Sequence, residues 1–183
     1  YGAWGVGVDG ATVIDSGTGT LRIDGISYST ADSYNMGIRM AGNFTATSAS
    51  TSPTAIYISG TGGPAASSYS GGQGLRLEAG GNLLSTTGVG GGIKLVGTPG
   101  SQVWAVVFQG GSIVSKSGPI ELSGTAANSY VYLLNSPTIG FKAGTPVTSS
   151  TANILFAFND ASWGGSSAPT IATSGSFTWR PSG

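Results

Sequence analysis

The chain has 183 residues, with 7 basic and 7 acidic side chains, a formal charge of zero, and neither Cys nor His. No basic face exists to neutralise phosphates, so neither nucleic acid nor an anionic membrane surface is an expected partner; disulfides, thiolate chemistry and Cys/His zinc sites are ruled out. Gly contributes 33 residues and Ser plus Thr 47, yet 39% of the chain is hydrophobic, which supplies the core that disordered chains lack and points to many short strands between tight turns.

Two patterns alternate from the start. The first places apolar residues at alternate positions after a small residue, as in Gly5-Val6-Gly7-Val8-Asp9-Gly10. The second reads apolar, any, apolar, any, Gly, as in Leu21-Arg22-Ile23-Asp24-Gly25. A short Ser/Thr-rich piece, such as Thr12-Val13-Ile14, lies between them. The first pattern returns at Gly37-Ile38-Arg39-Met40-Ala41-Gly42 and at Gly74-Leu75-Arg76-Leu77-Glu78-Ala79. Looser copies are Ala105-Val106-Val107-Phe108-Gln109-Gly110 and Tyr130-Val131-Tyr132-Leu133-Leu134-Asn135. The second pattern returns at Ile56-Tyr57-Ile58-Ser59-Gly60, Ile93-Lys94-Leu95-Val96-Gly97 and Ile120-Glu121-Leu122-Ser123-Gly124, with Ser112-Ile113-Val114 as another linking piece.

Alternation of period two marks strands with one buried face. First-pattern starts at Val6, Ile38, Leu75, Val106 and Val131 are spaced by 32, 37, 31 and 25 residues. Variable turns on a constant core suit a solenoid. Beyond Leu134, Ile139-Gly140-Phe141 closes a short coil in this reading. Asn153-Ile154-Leu155-Phe156 is taken as another first strand, completed by Thr170-Ile171-Ala172-Thr173 and Ser176-Phe177-Thr178-Trp179. No helical periodicity occurs, and Pro119 stands at a strand start, where a missing N–H is tolerated.

The expected fold is all-β: a parallel β-helix of five or six coils, with residues 1–183 forming one segment. Val6, Ile38, Leu75 and Val106 would form one inner column, and Ile23, Ile58, Leu95 and Leu122 another. The Gly closing each second pattern is read as a turn residue with positive φ. A β-sandwich of antiparallel hairpins is the rival; it explains the alternation but not the fixed order of the two patterns. The sequence shows no signal-peptide pattern and no apolar run long enough to cross a membrane. A start at Tyr1 and a stop at Arg180-Pro181-Ser182-Gly183 read as those of an internal or processed piece of a longer chain.

Stacking also predicts charge contacts. Lys94 and Glu121 occupy equivalent positions on successive coils and are expected to pair. Arg39 and Arg76 are neighbours on a solvated outer face. Gly5 to Gly10 matches G-x-G-x-x-G but lies within a strand with no helix after it, so it is not read as a dinucleotide site. Gly71-Gly72-Gln73-Gly74-Leu75-Arg76-Leu77 nearly matches a calcium nonapeptide, with Arg76 where the Asp ligand belongs. The acids Asp9, Asp15, Asp24, Asp32, Glu78, Glu121 and Asp160 are scattered. Asp9 and Glu78 share a column but sit two coils, about 9.6 Å, apart. No catalytic, cofactor or metal residue is assigned, and the chain is not read as an enzyme. Asn43-Phe44-Thr45 is read as a chance sequon. Trp4, Tyr28, Tyr34, Tyr69 and Trp163 are read as packing caps, unless they cluster outside to stack on sugars.

The stretches GLRLEAGGNLLSTTGVGGGIKLVG (Gly74 to Gly97), SIVSKSGPIELSG (Ser112 to Gly124) and TSGSFTWRPSG (Thr173 to Gly183) resemble exoproteins of the filamentous-haemagglutinin type, secreted by the two-partner route in Gram-negative bacteria. The resemblance implies a right-handed β-helix, export to the cell surface, and roles in adhesion, matrix or filament building. The expected function is therefore that of an extracellular structural or adhesive module. It would associate with itself through open strand edges, or laterally through the apolar runs Val103 to Phe108, Val131 to Leu134 and Ile154 to Phe158. Surface glycans are a further candidate partner. The alternative is a carbohydrate-binding or carbohydrate-processing β-helix, of phage tail-fibre or polysaccharide-lyase type. An exposed groove with three or more aromatics or acids in register would favour it.

Overall fold

Short alternating segments separated by Gly-rich turns become strands that have no way to bury their apolar face alone, so they stack. The structure, a computed structural model, describes residues 2–30, 34–64, 72–78, 82–100, 104–127, 129–165 and 167–182. Six coils follow one another along the chain. Coil 1 holds β1 (Gly2–Val8), β2 (Thr12–Asp15) and β3 (Leu21–Ile26); coil 2 holds β4 (Tyr34–Met40), β5 (Phe44–Ser48) and β6 (Ile56–Thr61). Coil 3 holds β7 (Leu75–Leu77), β8 (Leu83–Thr86) and β9 (Ile93–Thr98); coil 4 holds β10 (Trp104–Gln109), β11 (Ser112–Ser115) and β12 (Ile120–Gly124). Coil 5 holds β13 (Tyr130–Leu134), β14 (Thr138–Gly140) and β15 (Ile154–Ala157); coil 6 holds β16 (Asp160–Gly164), β17 (Thr170–Ala172) and β18 (Phe177–Arg180).

Equivalent strands pair in parallel into three six-stranded sheets, in the orders β1-β4-β7-β10-β13-β16, β2-β5-β8-β11-β14-β17 and β3-β6-β9-β12-β15-β18. This is a parallel β-helix of six coils. The antiparallel sandwich is thereby excluded. No helix among the described residues is long and apolar enough to cross a membrane.

The core is a set of columns. In the first sheet, Val6, Ile38, Leu75, Val106, Val131 and Ala161 lie in register. In the third, Ile23, Ile58, Leu95, Leu122, Phe156 and Trp179 do the same. Both columns expected from the sequence are thus present, each extended to the sixth coil. Within coils 2 to 5 their members are fully buried. Each such side chain contributes about 1.5–3 kcal/mol relative to exposure.

Three expectations are corrected. The Ser/Thr-rich pieces between the two patterns are strands of a sheet of their own, so a coil has three strands, not two. Their inner column is Ile14, Ala46, Leu84, Ile113, Ile139 and Ile171. Most of these strands of three to five residues have a single inward apolar residue, which gives a weak periodic signal. Beside this column, Ser48, Thr86 and Ser115 stack in register. They are buried, and their hydroxyls donate to the carbonyls of Gly19, Gly91 and Gly118.

Next, the register after Leu134 differs. Ile154 to Phe156 belongs to the third strand of coil 5, not to a first strand, because Ile154 stacks on Ile120. Ile139-Gly140 is the middle strand of coil 5 and closes nothing. The first strand of coil 6 is Asp160–Gly164, hidden in the sequence by its small and polar residues.

Finally, Gly25, Gly60, Gly97 and Gly124 do not have positive φ. They stack within the third sheet, where its backbone closes against the first sheet. A Cβ on Gly60 would strike the Gly74 carbonyl, and one on Gly97 the Ala105 carbonyl. Close backbone approach, not turning, is what requires glycine here. Left-handed glycine is used instead at the corner after the first strand, at Gly10 (φ 86°), Gly42 (φ 83°) and Gly111 (φ 85°).

Substituting Gly97→Ala is expected to cost about 1–3 kcal/mol, as overpacking of an interior does. Outward-facing Val13, 74% exposed, should accept Val13→Thr within about 0.5 kcal/mol. Denaturant unfolding of the two variants checks both values.

Candidate functional site

The first sheet's outer face carries a cluster of charges around two stacked arginines. Period-two alternation turns Gly7, Arg39 and Arg76 outward, and the three are in register on coils 1, 2 and 3. Lacking a side chain, Gly7 leaves room for the Trp4 ring, whose Cε3 would lie 3.0 Å from a Cβ placed there. The Arg39 guanidinium sits 4.7 Å from the centroid of the same ring, a cation–π contact.

The two arginines do not fan into solvent as expected. Arg39 Nη2 donates to Glu78 Oε2 at 2.7 Å and Arg39 Nη1 to Asp9 Oδ1 at 2.7 Å. Arg76 Nε makes an ion contact with Glu78 Oε1 at 2.6 Å, and its Nη2 donates to Gln109 Oε1 at 3.0 Å. Glu78 thus separates two like charges that stacking forces together, and Arg39 bridges the two acids that lie two coils apart. Partial burial works against the Arg39 charge; the hydrogen bonds and charges of Glu78 and Asp9 outweigh it and hold the group above the ordinary arginine value. Arg39 therefore stays cationic throughout the pH range in which proteins fold.

A groove of about 340 Å³ opens over this network, lined by Trp4, Tyr34, Met36, Arg39, Arg76 and Glu78. Trp4 is 39% and Tyr34 42% exposed. An aromatic face beside paired cations and a carboxylate can stack on a sugar ring and hydrogen-bond its hydroxyls.

The remaining singled-out residues are dispersed. Tyr28 is exposed in the segment after β3. Tyr69, Asp32, Val103 and Gly71 lie outside the described residues. Asp15 accepts from the Gly17 N–H, Asp24 pairs with Arg22, and Asp160 accepts from the Ala161 N–H. Lys94 and Glu121 pair at 3.0 Å, as their equivalence predicts. Gly5 abuts the Ile26 backbone inside the strand seam. Asn43 is exposed in the turn between β4 and β5. Among the described residues, no three of His, Cys, Asp and Glu gather into a group able to hold a metal. The apolar runs read as lateral contacts are largely covered by the chain: Val107, Ala157 and Phe158 are buried.

A second feature lies at the two ends of the stack; the sequence named its residues, Trp163 as a packing cap and Phe177 and Trp179 in a last strand, without bringing them together at an end face. Trp163 occupies an inward column, in register with Leu133, not an outer face. With no coil above it, Trp163 is 53% exposed, beside Phe177 at 44% and Trp179 at 38%. Trp163 and Trp179 meet edge to face, with centroids 6.3 Å apart. At the other end the inner columns terminate in Val6, Val8, Ile14, Leu21 and Ile23, all only partly buried. Among the described residues, one edge of each of β1, β2 and β3, and of β16, β17 and β18, has no strand beside it.

Comparison with known proteins finds no matching family model, no similar curated protein and no similar solved structure.

Substituting Glu78→Gln leaves Arg39 and Arg76 adjacent without their shared carboxylate and is expected to lower stability by about 1–2 kcal/mol, more at low salt than at high salt. Glu121→Gln, which removes a single more exposed pair, should cost less than about 1 kcal/mol. Thermal unfolding at two ionic strengths tests the contrast.

Proposed function

We propose that this chain is a structural module of a secreted bacterial surface protein or filament, and that it works by joining other coils through its open strand edges. One observation carries the reading: among the described residues, coils 1 and 6 each present unpaired strand edges over inner columns that are still partly exposed. Unpaired edges template the addition of further strands, and solenoids that stay apart cover them with caps. A contact between unlike ends that does not close on itself generates a filament. The resemblance of Gly74 to Gly97 and of Ser112 to Gly124 to filamentous-haemagglutinin-type exoproteins supports the cell-surface setting. The buried Val107, Ala157 and Phe158 favour end contacts over lateral ones.

A second reading, carbohydrate binding, is favoured by the groove over Trp4 and Tyr34. It ranks lower because Glu78, the acid that lines the groove, is already engaged by Arg39 and Arg76.

Sedimentation and electron microscopy of the purified 183-residue chain over a concentration series test the first reading. Oligomers growing into fibres are the expected result, and a monomer at every concentration would refute it. Glycan-array binding abolished by Trp4→Ala, with sedimentation unchanged, is the outcome expected of the second reading.

A further inference from the structure

We propose that copies of this chain join head to tail with the coil register unbroken, coil 6 of one copy seated on coil 1 of the next, and with Arg180 of one paired to Asp24 of the other. This rests on the end-to-end reading above and specifies its geometry and its partner, a second copy.

Register is the starting point. The third sheet carries an outward column that runs Asp24, Ser59, Val96, Ser123, Ala157, Arg180. It begins with a carboxylate and ends with a guanidinium, and nothing between them is charged. Both side chains are exposed. Asp24 is held by Arg22 at 2.5 Å, but a carboxylate offers about four acceptor positions and has room for a second guanidinium. Among the described residues Arg180 has no carboxylate partner in its own copy. One more parallel step of the ladder, about 4.8 Å, brings the two together.

The same step continues the core. Trp163 comes to lie on Val8, Trp179 on Ile23, and Ile171 on Ile14. Each is an inward position at both ends; the two tryptophans of coil 6 meet smaller side chains on coil 1, and Ile171 meets an isoleucine. Both sets of side chains are partly exposed where they now stand and would be covered together.

Neighbouring registers fail. A slip by one residue turns Trp179 onto an outward, charged column of the partner. A slip by two that keeps the faces sets Arg180 over Arg22, a like-charge contact, or over Ile26, with no partner. Joining two aromatic ends would run the strands antiparallel and break the parallel ladder, and the one acid of coil 6, Asp160, lies in the first sheet and not in the Arg180 column of the third. The unbroken register alone pairs opposite charges and stacks apolar on apolar.

A repeating junction of this kind has a fixed length. Six coils at about 4.8 Å give an axial repeat of about 29 Å per copy, with a 4.8 Å meridional reflection.

The test is charge reversal in the full 183-residue chain. Arg180→Asp and Asp24→Arg each place like charges at the junction; each is expected to raise the concentration needed for assembly about tenfold. The double variant restores the pair with its sign inverted and is expected to assemble within about threefold of the unaltered chain. Both positions are exposed, and far-UV circular dichroism and denaturant unfolding confirm that each variant folds. An unaltered chain that assembles while both reversals leave assembly unchanged overturns this register but leaves end-to-end association standing. An unaltered chain that never assembles overturns both, and assigns the edges to another occupant, such as further coils of a longer chain. Dimers that do not grow would show like ends meeting, against the proposal.

Discussion

The parallel backbone ladder is what everything else in this structure depends on. It sets each residue over its equivalent in the next coil, about 4.8 Å away. A strand with only two inward residues, such as β7 with Leu75 and Leu77, has too little apolar surface to fold by itself. Placed between β4 and β10, both residues are fully buried. The stability of a coil is therefore largely the stability of its two interfaces, as expected of a quasi-one-dimensional repeat. The same rule makes the end coils different: each has one interface where the others have two.

Stacking multiplies whatever a position holds. Repeated glycine opens a seam through which the first and third sheets close backbone to backbone, as Gly60 does against Gly74. Repeated hydroxyls become a buried corner ladder at Ser48, Thr86 and Ser115. Repeated charge is a hazard. Arg39 and Arg76 fall in one column, and Glu78, two residues along the strand from Arg76 and so on the same face, neutralises both. The groove over Trp4 is a by-product of that arrangement as much as a site.

How much of this was legible in the sequence depends on the density of apolar residues. Val6, Ile38, Leu75 and Val106, or Ile23, Ile58, Leu95 and Leu122, alternate strongly enough for their columns to be read directly. The middle sheet was not legible as a sheet, because a strand such as β2 or β14 has a single inward apolar residue, Ile14 or Ile139. The first strand of coil 6 escaped for the same reason, since Asp160-Ala161-Ser162-Trp163-Gly164 shows no apolar alternation until Leu133 is seen beneath Trp163, whereas the other two strands of that coil were read. The seam glycines were located correctly but given the wrong cause, since positive φ and close approach select the same residue. The Arg39–Glu78–Arg76 cluster could have been found from period two alone, because residues 76 and 78 share a face and 39 stacks on 76. The end face could not, because its Trp163, Phe177 and Trp179 look like core residues until the last coil is known.

Distances between spin labels measure the stacking most directly. The chain has no Cys, so paired cysteines can be placed cleanly along one outward column, in which Arg22, Tyr57, Lys94, Glu121, Leu155 and Thr178 succeed one another. With one label at position 22 and the other at 121, 155 or 178, pulsed electron paramagnetic resonance on dilute protein should give backbone separations of about 14, 19 and 24 Å, rising by one coil spacing at each step. Separations that fail to rise in that order, or a label at 178 nearer to 22 than one at 121, would contradict the six-coil stack.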